Sequence, residues 1–137
     1  MQRGREKMKS IFKRGEVNPY GKFFDGTSYL NMLNTENISV GDVIFEPGCR
    51  NHWHIHHAKN GGGQILLCLA GHGWYQEEGK PAQALEAGSV VRIPANVKHW
   101  HGATKDDSFE HIAIEVPGEE TKTEWCEPVD EKAYLAL

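Results

Sequence analysis

Turn-forming residues break up the middle of this chain about every ten residues, and this pattern constrains the fold most strongly. Pro47-Gly48, the stretch 60–63 and Pro94-Ala95-Asn96 are examples. Short runs rich in β-branched and aromatic residues lie between the breaks: Tyr29–Leu33, Ile38–Phe45, Asn51–His57, Gln64–Ala70, Gly73–Glu77, Ser89–Ile93, His99–Thr104 and Phe109–Val116. Short strands joined by tight turns predict an all-β sandwich or barrel.

Length and composition indicate one globular domain. The chain has 137 residues, of which 39% are hydrophobic and 25% are charged. No apolar run reaches the roughly 20 residues that a membrane-spanning helix needs, so we expect no membrane insertion. Three cysteines without a C-x-x-C spacing, and the absence of a secretory signal pattern, favour the reducing cytoplasm.

Charge is distributed unevenly. The first sixteen residues hold six basic and two acidic side chains, so they carry +4, and the net charge of −4 leaves −8 for the rest. An acidic body argues against nucleic acid as a partner. We expect an N-terminal arm and first strand region at 1–27, a barrel at 28–117, and a tail at 118–137. In the tail Asp130 would cap a short C-terminal helix.

The histidines point to a functional site. All eight lie between His52 and His111. With the side-chain period of a strand, His54 and His56 share one face, and a hairpin would bring Gln64 beside them. His99 and His101 form a second pair of this kind. Two such pairs and an amide can surround a divalent cation with nitrogen and oxygen donors.

These motifs resemble the cupin family. Gly48, His54, His56, Gln64 and Gly71 match its first motif, and Gly88, Pro94 and His99 match its second. The resemblance implies a double-stranded β-helix, the jelly-roll barrel. The chain departs from the family pattern in its glycine-rich spacer 57–63, in Gln64 where Glu is usual, in Asn96 for Gly and in Ala103 for Asn.

A narrower resemblance is to small single-domain bacterial cupins that include the manganese-dependent hydroxynitrile lyases and the carboxymuconolactone-decarboxylase-associated cupins. It implies one divalent metal ion (Mn, Fe, Ni or Zn) held by His54, His56, Gln64 and His99, with His101 moving a proton. It also favours His111 and Glu115 as cavity residues. Val43, Phe45 and Trp74 are further candidates for the substrate pocket, although such side chains are more often core.

We therefore expect a metal-dependent lyase or isomerase that acts on a small organic molecule by Lewis-acid and general-base chemistry. A metal-dependent dioxygenase and a non-enzymatic small-molecule binding or sensing cupin remain alternatives. With a neutral amide at Gln64, the four ligands would leave the cation its full double charge. Because a small sandwich has edge strands to cover, we also expect a homodimer.

Overall fold

The computed structural model describes residues 10–137, which form fourteen β-strands, a 3₁₀ turn at Gly21–Phe23 and one α-helix. The strands of the N-terminal half are β1 (Glu16–Val17), β2 (Phe24–Asp25), β3 (Ser28–Asn34), β4 (Val40–Phe45), β5 (Arg50–Asn51), β6 (His54–His57) and β7 (Asn60–Gly61). The remainder are β8 (Gln64–Glu77), β9 (Gln83–Glu86), β10 (Val90–Ile93), β11 (His99–Ala103), β12 (Phe109–Glu115), β13 (Gly118–Glu119) and β14 (Lys122–Trp125), followed by α1 (Glu131–Leu135).

Two antiparallel sheets share the long strand β8 and curl into a jelly-roll barrel, as predicted. In the first sheet β1, β3, β4 and β12 lie side by side, and β12 and β10 flank the first half of β8. In the second sheet β9 and β11 flank the second half of β8, and β11 also pairs with β5 and β6. The barrel core lies between the sheets.

Gly71 marks the point at which β8 passes from one sheet to the other. The sequence predicted a break here between two strands, whereas the structure has one continuous strand whose partners change. Gly71 has φ +77°, and a Cβ at this position would collide with the carbonyl oxygen of Ser108. Glycine therefore lets the strand bend without a steric clash.

The predicted strand Asn51–His57 is interrupted after Asn51 and resumes at His54. The two residues between them turn the chain away from the ladder: His52 N bonds to Phe23 O and Trp53 N bonds to Glu127 O. Because of this irregularity, Asn51 and His54 both face the barrel interior although they are three residues apart.

The glycine-rich spacer is held firmly at the rim of the barrel. Its strand β7 pairs with β13 in a separate two-stranded sheet. The guanidinium of Arg92 donates to the carbonyl oxygens of Gly62 (3.1 Å) and Ile93 (2.7 Å). Asn96 adopts φ +68°, a conformation that Asn tolerates better than most residues, and bonds through its amide to Ala58 N and O. Asn96 thus adopts the positive φ of a turn at which the family pattern has glycine, and its side chain adds two hydrogen bonds.

The C-terminal tail contains the predicted helix and two unpredicted strands, β13 and β14. Asp130 caps α1 by accepting a hydrogen bond from Ala133 N at 2.9 Å. Tyr134 is the buried residue of the helix. The strand β14 pairs with β6, so the tail completes the barrel wall beside the histidines. Within residues 10–137, no helix has the length and hydropathy needed to cross a membrane.

Candidate metal centre

Three imidazoles meet inside the barrel. Neighbouring strands carry them, because β6 pairs with β11 through the partners His54 and His99, and His56 lies two residues further along β6. One ligand nitrogen from each ring lies within 4.8 Å of the others. The ring centroids of His54 and His99 are 4.2 Å apart. The same-face prediction for His54 and His56 is confirmed.

The outer ring nitrogens of these three histidines already have partners. His54 Nδ1 donates to His52 O at 2.7 Å, and His99 Nδ1 donates to Val97 O at 2.9 Å. His56 Nδ1 contacts Thr123 Oγ1 at 3.3 Å. Since a carbonyl oxygen can only accept, His54 and His99 carry their proton on Nδ1 and present an unprotonated Nε2. Such orientation of ligand histidines by backbone carbonyls is typical of metal sites.

The inner polar atoms lack partners. The Nε2 atoms of His56 and His99 and the Oε1 atom of Gln64 are buried without a hydrogen bond from any residue in 10–137. Burying such atoms unpaired costs free energy, so they fit a bound group that pairs with all of them. Imidazole nitrogens and an amide oxygen are suitable ligands for a divalent transition metal. The residues present therefore fit the metal that the fold implies.

Gln64 is oriented by a carboxylate. Its Nε2 donates to Glu115 Oε2 at 2.9 Å, and the two residues are register partners on β8 and β12. The amide nitrogen is thus directed to Glu115, and the amide oxygen is the unpartnered atom.

A second histidine pair lies beside the first group. His101 Nδ1 is 3.2 Å from His111 Nε2, and the ring of His101 is 5.7 Å from that of His54 between centroids. Asn51 Oδ1 accepts a hydrogen bond from His101 N at 2.9 Å, and Asn51 Nδ2 is 3.4 Å from both ring nitrogens of His101. The alternation along β11 places His101 in the cavity, as the sequence predicted.

Burial keeps these histidines neutral. It is the main cause that lowers the pKa of His99 to about 4 and that of His111 to about 3. Burial also lowers the pKa values of His54 and His101 well below the ordinary histidine value, and neighbouring histidines lower them further. The pKa of His56 is lowered by burial, against the opposing effect of Glu115. Neutral imidazole is the form that binds metals.

The cavity above the histidines has a volume of about 550 Å³, within the range typical of small-molecule sites. Eight of the predicted site residues line it: His54, His56, Gln64, His101, His111, Glu115, Val43 and Phe45. His99 is fully buried behind them. On β12 the face with His111 and Glu115 is the inner one, as the resemblance implied.

The placement of Trp74 in this pocket is wrong. Trp74 pairs with Gly102 across β8 and β11, and it packs against the outer cluster of Trp100, Val129 and Tyr134. Its neighbour Tyr75 faces the interior, with its ring centroid 5.9 Å from that of His99. Strand alternation therefore directs Trp74 to the opposite face.

Several parts of the cavity wall were not predicted, two of them outside the strands that carry the histidines. The segment before β3 contributes Asn18, Pro19, Tyr20 and Phe24. Strand β14 contributes Thr123 and Trp125, and Trp125 lies 4.7 Å from His54 between ring centroids. Thr123 and Trp125 alternate with charged residues in the sequence, which is a strand signal that could have indicated their common face.

Comparison with known proteins agrees with this geometry. The family model described as a Cupin domain matches residues 41–115, which is more than half of the 137 residues. The chain belongs to the cupin family. This cupin is 36% identical over 116 residues to an (R)-mandelonitrile lyase from Granulicella tundricola, a match that covers 82% of this chain and 86% of that protein.

Solved structures show the same fold. A cupin-like protein from Thermotoga maritima is 43% identical, with a TM-score of 0.81 and coverage of 92% of this chain and 95% of that one. A predicted oxalate decarboxylase from the same organism is 19% identical, with a TM-score of 0.65 and coverage of 74% and 90%. At that identity the second likeness concerns the fold alone.

Proposed function

We propose that this cupin is a metal-dependent lyase that cleaves a carbon–carbon bond in a small neutral hydroxy compound of the cyanohydrin type. His54, His56, Gln64 and His99 hold one divalent ion, with manganese as the first candidate. The observation that carries the proposal is the set of inward-facing donor atoms without hydrogen-bond partners beside a second histidine pair. The similarity to a mandelonitrile lyase supports the same reaction class.

A bound divalent cation supplies Lewis acidity at the oxygen of a substrate hydroxyl or carbonyl. His101 acts first as the general base and then as the general acid. Because His111 engages its Nδ1, His101 takes the hydroxyl proton at Nε2 as the carbonyl product forms. The electron pair of the broken carbon–carbon bond leaves with the small fragment, and His101 returns the proton to it. Asn51, bonded to the His101 backbone, fixes the position of the ring.

The cavity walls favour a neutral, largely apolar substrate. Aromatic and aliphatic side chains form much of the lining, among them Phe24, Phe45 and Trp125. Among the described lining residues, Glu115 is the only one with a formal charge at neutral pH, and no Lys or Arg is present to bind an anionic group. An aromatic hydroxynitrile has the polarity that this lining suits, whereas a dicarboxylate does not.

The proposal is tested by single-turnover and steady-state cleavage of mandelonitrile with chelated protein and with protein reloaded with Mn²⁺ or Zn²⁺ under anaerobic conditions. We expect turnover only after reloading. His101→Ala should lower kcat by about 10²–10⁴-fold with the metal content unchanged. His72→Ala is the matched control, because His72 is an exposed histidine bonded to Asp107 outside the cavity.

Activity that persists in chelated protein, or in His101→Ala at the wild-type rate, would contradict the proposal. Strict dependence on O₂ and on a redox-active metal would identify a dioxygenase instead. Binding of the cyanohydrin without turnover by any metal form would identify a binding cupin.

A further inference from the structure

The side chain that orients Gln64 has a charge that the ligand set lacks. The three imidazoles and the amide are all neutral donors, whereas Glu115 is a carboxylate. Glu115 lines the same cavity as His56 and Gln64. From the sequence we expected that the ligands would leave the cation its full double charge. The four ligands themselves are neutral, as expected, but the carboxylate of Glu115 is hydrogen-bonded to the ligand Gln64.

The contact also selects which end of the amide faces the histidines. A carboxylate only accepts hydrogen bonds, so it pairs with the amide nitrogen and leaves the amide oxygen free. That oxygen is buried and unpartnered within residues 10–137. A donor N–H that is bonded to a charged acceptor also polarises the amide, which makes its oxygen a better metal ligand.

The backbone holds the two residues in contact. Gln64 and Glu115 are the last register partners of β8 and β12, and the bond from Val116 N to Gly63 O (3.0 Å) extends the ladder by one step. Arg92 bonds to the carbonyl oxygens of Gly62 and Ile93. A spacer that is longer than the family pattern therefore still delivers Gln64 to a fixed place opposite Glu115.

We propose that Glu115 is a positioning residue of the metal centre, which holds the Gln64 oxygen toward the three imidazoles and supplies the negative charge that the neutral ligands lack. This inference rests on the proposed metal site. Glu115 acts through Gln64 and is not itself a ligand.

The test is the affinity of the substrate-free protein for Mn²⁺ and Zn²⁺, measured by competition with a chelator. Glu115→Gln is nearly isosteric: it removes the charge and replaces one carboxylate oxygen with an NH2 group, while its remaining oxygen can still accept from Gln64. We expect it to weaken metal binding about 10–100-fold, the range for outer partners of metal ligands. It should also change the electron paramagnetic resonance spectrum of bound Mn²⁺. Glu119→Gln is the matched control, since Glu119 accepts from the amide of Asn60 outside the cavity (3.1 Å).

Exchange of the two groups sharpens the test. The double variant Gln64→Glu with Glu115→Gln keeps an amide and a carboxylate in contact, and we expect it to bind metal at least as tightly as wild type. It also keeps the test valid if Glu115→Gln alone folds poorly, as judged by the thermal midpoint of the metal-free protein.

Affinity of Glu115→Gln within twofold of wild type, or an exchange variant that binds no better than Glu115→Gln, would overturn the inference. The result is separate from the proposed reaction. If the affinities follow this pattern but no cyanohydrin is cleaved, Glu115 keeps its role and the lyase proposal fails. If cleavage occurs but the affinities are unchanged, the lyase proposal stands and Glu115 has no such role.

Discussion

Consecutive residues of β11 face two different environments. His99 and His101 point into the barrel, where His99 Nε2 has no hydrogen-bond partner within the described chain. Trp100, between them, points outward and is completely buried in the cluster with Val129 and Tyr134. There its Nε1 donates to Gln76 Oε1 at 2.9 Å. The inner face of β11 therefore carries a buried polar atom without a hydrogen-bond partner, whereas the polar atom of Trp100 on the outer face is hydrogen-bonded.

The inner and outer faces therefore contribute mainly to two different free energies, that of ligand binding and that of folding. Unpaired acceptor atoms on the inner face reduce the stability of the metal-free protein, and their contribution becomes favourable when a ligand pairs with them. On the outer face, apolar burial and completed hydrogen bonds contribute to folding itself. We therefore expect inner substitutions to change ligand binding and outer substitutions to change stability.

The largest effect should come from His99→Ala. It removes a central donor of the three-histidine group, so metal affinity should fall by more than the roughly 100-fold that an outer partner is worth. The measurement is a chelator-competition titration with Zn²⁺ and Mn²⁺, with circular dichroism to confirm that the variant folds. Unchanged metal affinity in a folded variant would show that the ion binds elsewhere.

Trp100→Ala should give the opposite result. Removing a fully buried tryptophan typically costs about 3–5 kcal/mol of unfolding free energy. Urea unfolding of the metal-free protein measures this loss. Metal affinity of the folded variant should stay close to wild type, and a parallel fall in affinity would mean that the two faces are energetically coupled.

Asp42 qualifies the comparison, because it is a buried polar group on the outer face of the first sheet. Burial raises the pKa of Asp42 from its ordinary 3.8 to about 8, with a further contribution from Glu110. A raised pKa means that folding favours protonated Asp42, so its contribution to stability is present in acid and is lost as the pH rises toward 8.

Asp42→Asn removes this dependence. The variant should gain stability relative to wild type as the pH rises from 4 to 8, by more than about 1 kcal/mol in total. Unfolding free energies of both proteins across this range, compared as a difference, provide the measurement. A difference that does not change with pH would show that Asp42 titrates normally in the folded protein.

The smallest effect should come from Tyr134→Phe. The hydroxyl of Tyr134 donates to Ala103 O at 2.6 Å, linking α1 to the end of β11. Loss of a buried hydrogen bond costs about 1 kcal/mol. Chemical denaturation should detect this loss with no change in metal affinity, whereas altered affinity would place the helix among the determinants of the site.

The sequence predicted the histidine group because its signals are local. Alternation along a strand fixes the faces of His54, His56, His99 and His101, and turn residues fix the strand limits. The same alternation applies along β8: because Tyr75 faces the interior, its neighbour Trp74 must lie on the outer face. The partner of Gln64 was not evident, since the contact with Glu115 depends on the register between β8 and β12.

Other contributions depend on long-range pairing that no local pattern reveals. Asn51 reaches His101 because the chain leaves the ladder between β5 and β6. Thr123 reaches His56 because β14 pairs with β6 across more than sixty residues of chain, as the hydrogen bond between positions 67 apart shows. The motifs were enough to predict the fold family, whereas the residues that contact the histidines from behind, such as Asn51 and Thr123, could be identified only from the structure.

The most direct test of the central claim is a crystal structure of the protein loaded with Mn²⁺, with the ion located by anomalous scattering. The account predicts one ion per chain, bonded to the Nε2 atoms of His54, His56 and His99 and to Oε1 of Gln64, with Glu115 still bonded to Gln64 Nε2. An ion bound at other residues, or an occupied centre in which the Gln64 amide turns away from the imidazoles, would contradict it.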